Sequence, residues 1–292
     1  MSLDRKGTTM TARELILKNA QLVGLPEITL QLNALINNPR SNAAEISKLI
    51  SRDPALTARL LRIVNSPFFG FPSQIESVSM AVTILGTRQL RDLVFSMSVM
   101  DRFSKVKVKG ISLETFWRHS LCCALACRAL AARLQVPNRE RFFLGGLLHD
   151  IGKLVMYLAA PEKSAQVAEL ASQGERTAMA IEYEVFGFDH AMVGEELLRH
   201  WRLPESLVEP VAQHHSPRRA RQYVQEAAVV HLANGIANTL QPSLAGESAM
   251  GFDPRLWELI GMEADVMEAV MPEISEQLEE SMQLLYVQQV AA

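Results

Sequence analysis

The sequence predicts an all-α protein built as a two-lobed helical bundle, and three observations carry that reading. Nowhere in the 292 residues do four or more β-branched and aromatic residues alternate as in a half-buried strand. Apolar residues recur instead at helical spacing, and several of these stripes are opened by a short polar residue of the kind that caps a helix. Between stripes stand glycine and proline residues that close one helix and start the next.

Residues 1–11 are polar and read as a tail. Thr11 and Glu14 have the spacing of a capping box and open a helix over 12–22. Gly24-Leu25-Pro26 breaks it, and Leu30, Leu32, Leu35 and Ile36 form the next stripe, which ends at Asn37-Asn38-Pro39. Asn42 with Glu45 caps a third helix that runs to Ile50. Asp53-Pro54 starts a fourth, with Leu56, Leu60, Leu61 and Val64 as its buried stripe, and Asn65-Ser66-Pro67 stops it. The loop Phe68-Phe69-Gly70-Phe71-Pro72 is too apolar to be left in solvent and is expected to pack under the next helix pair. Ser77 begins a helix pair, 78–85 and 90–103, joined across Gly86. Arg88 and Arg91 give this pair a superficial likeness to a DNA-reading helix-turn-helix, but two helices packed across a glycine turn occur in any α-bundle.

Residues 104–110, with three lysines alternating with valines, form the clearest linker. They divide a first lobe, 12–103, from a second lobe, 111–240, that holds all 7 histidines. The second lobe opens with a long helix over 113–134 carrying His119. Asn138 caps a helix over 139–148, Pro161 starts another, and Asp189 caps a helix over 191–201. Helices over 205–214 and 224–240 follow, the latter bearing His231 and Asn234. Residues 252–292 supply C-terminal helices packed on the domain: Asp253-Pro254 reopens a helix, and an amphipathic stripe over 278–290 could also pair with a copy of itself.

Hydrophobic residues make up 48% of the chain, as in a soluble globule, and Arg128 interrupts the best candidate membrane span, 121–134. No signal peptide opens the sequence, so a cytoplasmic protein with no membrane partner is expected. A formal net charge of −3 gives no footprint for general nucleic-acid binding, and the short basic run Arg218-Arg219-Ala220-Arg221 reads as a solvated helix face. Cys122, Cys123 and Cys127 share one apolar helical stretch and read as buried thiols.

The chemistry gathers at Gly145-Gly146-Leu147-Leu148-His149-Asp150-Ile151-Gly152-Lys153. Adjacent helical residues point about 100° apart, so His149 and Asp150 can reach one small ion from neighbouring angles. Lys153 falls on the same face, where its ammonium could meet a bound phosphate oxygen. His119 upstream and His190, His214 and His215 downstream each adjoin an apolar helical pattern that could bring them inward, whereas His200 and His231 read as surface or cap residues. Such nitrogen and oxygen donors suit one or two divalent transition-metal ions, iron, manganese, nickel or zinc, and an aspartate between two ions could bridge them. Water bridged there would be acidified and could attack phosphorus.

The order His119, then His149-Asp150, resembles the core of the HD phosphohydrolase superfamily. The first lobe is similar to the HDOD domain, the HD-related output domain of bacterial signalling proteins. That likeness rests on Leu25-Pro26, Asp53-Pro54-Ala55-Leu56-Thr57, Leu60-Leu61-Arg62, Asn65-Ser66, Phe69-Gly70, Ile75, Ser77, Ala81, Leu85-Gly86 and Leu90-Arg91, and extends roughly over residues 15–240. The resemblance implies a regulatory role, often beside receiver or cyclic-nucleotide-signalling components. Many HDOD proteins have lost the HD ligands; this chain keeps a large share of them. His190 and His214-His215 fall where the similar HD-GYP cyclic-di-GMP phosphodiesterases place second-metal ligands. Two departures weigh against catalysis. Asn234 stands where the superfamily's closing aspartate is expected, and an amide carbonyl can ligate but brings no charge. No Gly-Tyr-Pro motif follows His215.

The reading that results is a cytoplasmic signal-transduction protein acting through protein contacts, with a metal site in its second lobe. The alternative is a metal-dependent phosphohydrolase acting on a nucleotide or cyclic dinucleotide. There His119, His149, Asp150, His190, His214, His215 and Asn234 hold the metal, and Lys153 with Asp150 serves the reaction.

Overall fold

A computed structural model describes residues 10–67, 69–104, 112–136, 138–174, 176–242 and 254–286. Among these residues there are seventeen α-helices, one 3-10 turn and no strand, which is the all-α class expected. The first lobe holds α1 (Ala12–Lys18), α2 (Ala20–Val23), α3 (Glu27–Asn37), α4 (Ala43–Ile50), α5 (Pro54–Val64), α6 (Val78–Leu85) and α7 (Thr87–Phe103). Next come α8 (Leu113–Arg133), α9 (Arg139–Leu148), α10 (Ile151–Ala159), α11 (Pro161–Ser172), α12 (Ala178–Phe186), α13 (His190–His200), α14 (Glu205–Ala212), the 3-10 turn Pro217–Arg219 and α15 (Val224–Leu240). Helices α16 (Pro254–Ile260) and α17 (Val266–Leu285) complete the described chain.

Helix starts follow local side-chain chemistry. Both capping boxes form, Thr11 with Glu14 and Asn42 with Glu45, and each satisfies two backbone N–H groups that a helix start leaves open. The side chains of Asp53, Ser77, Asn138 and Asp189 each accept from a backbone N–H in the first turn of their helices. Gly86, at φ +81°, makes the tight turn between α6 and α7, a conformation that favours glycine.

Several boundaries move for identifiable reasons. The helix expected over 12–22 breaks at Asn19, whose side-chain amide donates to the Leu15 carbonyl at 2.8 Å and competes with the backbone ladder. The buried face of α3 is Thr29, Leu32 and Asn33, while Leu30 is exposed; Thr29 Oγ1 donates to Ser98 Oγ of α7 at 2.7 Å and fixes the rotation of the helix. In α5 the buried stripe is Leu60, Ile63 and Val64, with Leu56 and Leu61 half-buried. Helix α7 starts at Thr87, directly after Gly86, and α17 starts at Val266, with Pro272 inside it. The polar tail 1–9, Phe68, the linker residues 105–110, the loop residues 243–251, Asp253 and the end, 287–290, of the helix expected over 278–290 lie outside the described residues.

One continuous set of buried apolar side chains runs from Leu15 in α1 to Leu285 in α17. Helix α8 lies at its centre, with α9, α15 and α17 against it. The apolar stripe of α17, including Leu278, Met282 and Leu285, is buried within the chain, and Arg118 pairs with Glu279 while Arg59 donates to the Leu285 carbonyl. From the aromatic loop, Phe69 and Phe71 stack at 5.9 Å, and the Arg128 guanidinium of α8 lies 5.5 Å over the Phe69 ring. The three cysteines are buried thiols, and burial pushes Cys122 up to about 12. The stretch Arg139–Ala159 is long and apolar enough to cross a membrane by length and composition, but 83% of its most apolar window is buried in the protein, which makes it a core element.

Candidate metal centre

Two glycines let the elements of the site approach one another. A Cβ on Gly146 would lie 2.8 Å from both Ala124 Cα and the Cys123 carbonyl oxygen, so α9 rests backbone to backbone on α8. That contact brings His149, just past α9, next to His119 on α8, with ring centroids 5.4 Å apart. A Cβ on Gly152 would lie 2.0 Å from the His190 carbonyl oxygen and 2.8 Å from Gly194 N. The glycine of the His-Asp-x-Gly-Lys run is therefore what allows α10 to touch α13 and places His190 beside Asp150. His149 and Asp150 themselves form the turn between α9 and α10.

Each histidine is aimed by the bond its other ring nitrogen makes. His149 Nδ1 donates to the Gly146 carbonyl and His214 Nδ1 to the Val211 carbonyl, both at 2.7 Å. His190 Nδ1 meets Glu182 Oε2 at 2.6 Å, and the same oxygen accepts from the His190 backbone N–H at 2.8 Å. A neutral imidazole that donates from Nδ1 carries its lone pair on Nε2, which is how a protein presents histidine to a metal. The Nε2 atoms do converge. His190 Nε2 is 2.8 Å from His215 Nε2 and 3.4 Å from His214 Nε2. Around Asp150, Oδ1 lies 3.2 Å from His190 Nε2 and 4.0 Å from His214 Nε2, and Oδ2 lies 3.4 Å from His149 Nε2. Lys153 Nζ donates to Oδ2 at 2.8 Å, so its ammonium is turned onto the aspartate.

Two groups of three donors result, His190 with His214 and His215, and His119 with His149 and Asp150, each with ligating atoms within 4.8 Å of one another. His149 Nε2 is buried without a hydrogen-bond partner, and Asp150 Oδ1 has the ring nitrogens of His190 and His214 before it at 3.2 and 4.0 Å. Such an orphaned acceptor is costly unless something electropositive sits beside it. The donor set thus fits a divalent transition metal on the structure's own terms.

Ionisation agrees with that chemistry. Burial pushes His149 down to about 4, and burial, reinforced by His149 and His190, holds His214 well below the usual imidazole range. Burial opposes charge on His190 too, but Glu182 and Asp150 outweigh it and push the group up to about 10. For Asp150 burial works against ionisation, yet His149, Lys153 and His190 hold the carboxyl well below its usual range. An ionised carboxylate beside the neutral imidazoles of His149 and His214 is the state metal ligands require, whereas a metal at His190 must displace the proton that Glu182 and Asp150 favour there.

His119 sits 3.1 Å by Nε2 from Asn234 Oδ1 and 2.8 Å by Nδ1 from the Gln241 carbonyl, so Asn234 lies beside the cluster. His200 is exposed at the far end of α13, as expected. His231 is half-buried and donates from Nδ1 to the His214 carbonyl at 2.7 Å, supporting the peptide that carries His214 and His215. Its role was not legible in sequence, and neither was that of Glu182, eight residues before His190 on α12. The one local signal for Glu182 was Gly187, which ends α12 at φ +85° and folds the chain back toward Asp189 and His190.

Fold and cluster together define an all-α domain with a buried His/Asp centre of HD type. Residues 22–217 match the HDOD domain, and the chain belongs to that family. An HDOD domain protein of unknown function from Geobacter sulfurreducens has the same fold, with a TM-score of 0.76 at 23% identity, over 94% of this chain and 98% of its own. A protein from Shewanella amazonensis SB2B, described provisionally as a phosphohydrolase, is similar with a TM-score of 0.68 at 27% identity, over 92% of this chain and 94% of its own. An uncharacterized protein of Treponema pallidum (strain Nichols) is 27% identical over 230 residues, which are 78% of this chain and 44% of that protein. The chain therefore spans less than half the length of that relative.

Proposed function

We propose that this HDOD protein is a bacterial cytoplasmic signal-transduction component that works through protein contacts, its His/Asp cluster holding divalent metal as part of the folded core. The observation that carries this reading is closure of the site. His119, His149, Asp150, Lys153, His190 and His214 are each at most 2% exposed and His215 is half-buried, which leaves little open surface for a phosphate ester. His119, His149, Asp150, His190, His214 and His215 are the residues that would hold metal, with Asn234 as a weak neutral donor. A bound ion would neutralise the converging lone pairs and tie α8, the α9–α10 turn, α13 and the end of α14 together. The partners this reading implies are receiver-type or cyclic-nucleotide-pathway signalling proteins. Its test is a phosphodiesterase and nucleotide-hydrolysis screen of the full chain loaded in turn with manganese, iron, nickel and zinc. Turnover at background supports the reading, and robust turnover overturns it.

The second reading, a metal-dependent phosphohydrolase, is favoured by the donor set and by the description of the Shewanella relative. A metal in that role would act as Lewis acid toward water and phosphate. Asp150 would orient the ion, and Lys153 would have to leave Asp150 to reach a phosphate oxygen. Asn234 is where the two readings separate. Asn234→Asp restores a charge beside His119 and should tighten metal binding; under the enzyme reading it should also raise hydrolysis of a generic phosphodiester.

A further inference from the structure

Helix α13 begins at His190 and ends at His200, about 15 Å of helix further on, where the chain meets α2 and α3 of the first lobe. Trp201 and Arg202 anchor that meeting. Trp201 Nε1 donates to the Val23 carbonyl at 2.8 Å, its ring stands edge-on to Phe95 at 5.7 Å, and Asn33 Nδ2 donates to the Arg202 carbonyl at 3.4 Å. Beside these anchors lies a cleft of about 500 Å³. Pockets for small molecules run from roughly 300 to 1,000 Å³, are mostly apolar and carry a few polar groups that fix orientation. Leu25, Leu30, Ala34 and Trp201 give this cleft apolar walls, with Leu30 left 42% exposed. Its polar groups are Asn33, Asn37, His200 and Arg202, and none of its lining residues is acidic. The smaller cleft across His200 differs, since Glu196 lines it and its Arg199 is paired with Glu195 and Glu205.

Arg202 is the unusual member of this lining. Its N–H bonds to the Arg199 carbonyl at 2.9 Å and that of Leu203 to the Leu198 carbonyl at 3.0 Å, while Arg202 itself adopts φ +56°. This is the helix ending whose left-handed residue is usually glycine, and any side chain there is strained. The Arg202 guanidinium is exposed and makes no hydrogen bond or ion pair among the described residues. A strained arginine without a counter-ion, set in an apolar cleft that holds no carboxylate, is a cationic anchor for an anion. We propose that the cleft binds a small amphipathic anion, with its carboxylate or phosphate head on Arg202 and its apolar body between Leu25, Leu30, Ala34 and Trp201. The ligand touches α3 and the end of α13 together, so its binding ties the first lobe to the second. The site is separate from the metal centre and stands whether or not that centre is loaded.

The test is isothermal titration of the full chain with octanoate and with octyl phosphate, which carry the two candidate heads on one apolar body, and with neutral octanol as control. One of the two anions should bind the wild-type chain one to one with a Kd of about 1 mM or tighter, and octanol at least about tenfold more weakly. Which anion binds tighter tells a carboxylate site from a phosphate site. Arg202→Gly removes the guanidinium and relieves the backbone, so it should keep a Tm at or above that of the wild type while anion affinity falls about tenfold or more. Ala34→Trp, at an exposed helix position, fills the cleft and should abolish binding of both anions with the Arg202 charge intact. Binding of neither anion, octanol binding as tightly as the anions, or affinity unchanged in Arg202→Gly or in Ala34→Trp would each overturn the proposal.

Discussion

The first lobe, α1–α7, and the histidine lobe, α8–α15, share one core and bury different chemistry in it. In the first lobe the buried polar groups are mostly hydroxyls bonded close by: Thr29 to Ser98 at 2.7 Å, Ser96 to the Asp92 carbonyl at 2.8 Å, and Ser47 with Ser79 at 2.9 Å. Its buried charge is Asp92, with the Arg91 guanidinium 2.7 Å away. The histidine lobe buries His119, His149, Asp150, Lys153, Glu182, His190 and His214 against one another. A buried ionisable cluster is costly unless its members are paired or coordinated, so it marks a site and not a device for stability. The contrast teaches that the first lobe is held by caps and apolar packing, and that the second gives up stability to keep a constellation in place.

The sharpest way to break that contrast is to compare glycines. Gly152→Ala forces a Cβ to within 2.0 Å of the His190 carbonyl oxygen, so α13 must move away from α10. The expected cost is about 4 kcal/mol or more, together with loss of metal. Gly86→Ala in the first lobe meets open space and costs only the strain of φ +81°, ψ 159°, about 1–3 kcal/mol. Urea unfolding of both variants measures the difference; equal losses would remove the special role of the α10–α13 contact.

Aspartates give the next contrast. Asp150→Ala in metal-free protein leaves the Lys153 ammonium buried without its carboxylate and should cost about 3–5 kcal/mol. Asp53→Ala removes a helix cap whose oxygen accepts from Leu56 N at 3.0 Å and should cost about 1 kcal/mol. Chemical denaturation again decides, and a larger loss at Asp53 would invert the proposed division of labour.

What could be read from the sequence divides along the same line. Thr11–Glu14, Asn42–Glu45, Asp53-Pro54, Ser77, Asn138 and Asp189 act within one helical turn, so their spacing alone locates the helix starts. The His149-Asp150 turn with Lys153 is similarly local, and its ion pair forms at i, i+3. Glu182 and His231 act across a turn or between helices, which no short-range periodicity encodes. Asn19 ends α1 early because its amide prefers a backbone carbonyl, a competition that an amphipathic stripe does not reveal. The closure of the site was also invisible, since burial of His149 and His214 depends on how four helical segments meet.

A smaller effect sharpens the view of the second lobe. Glu182→Gln keeps a hydrogen-bond acceptor for His190 but removes the charge behind it, and metal affinity should fall about 10- to 100-fold. Isothermal titration with manganese checks this; unchanged affinity would show that Glu182 only packs. The smallest effect belongs to the exposed ion pairs of the same lobe. Arg199→Ala breaks contacts to Glu195 and Glu205 and should cost about 0.5 kcal/mol or less.

The central claim, that the buried His/Asp cluster is a metal centre stabilising this fold, is tested most directly by thermal unfolding of the full chain with metal removed and with metal restored. A ligand present at about a thousandfold excess over its Kd stabilises by about 4 kcal/mol, which for a chain of this size is a Tm rise of roughly 8 °C. The wild-type chain should show that rise and carry bound metal after dialysis. The His149→Ala, Asp150→Ala double variant should show neither. Metal content and Tm shift unchanged by the double substitution would contradict the claim.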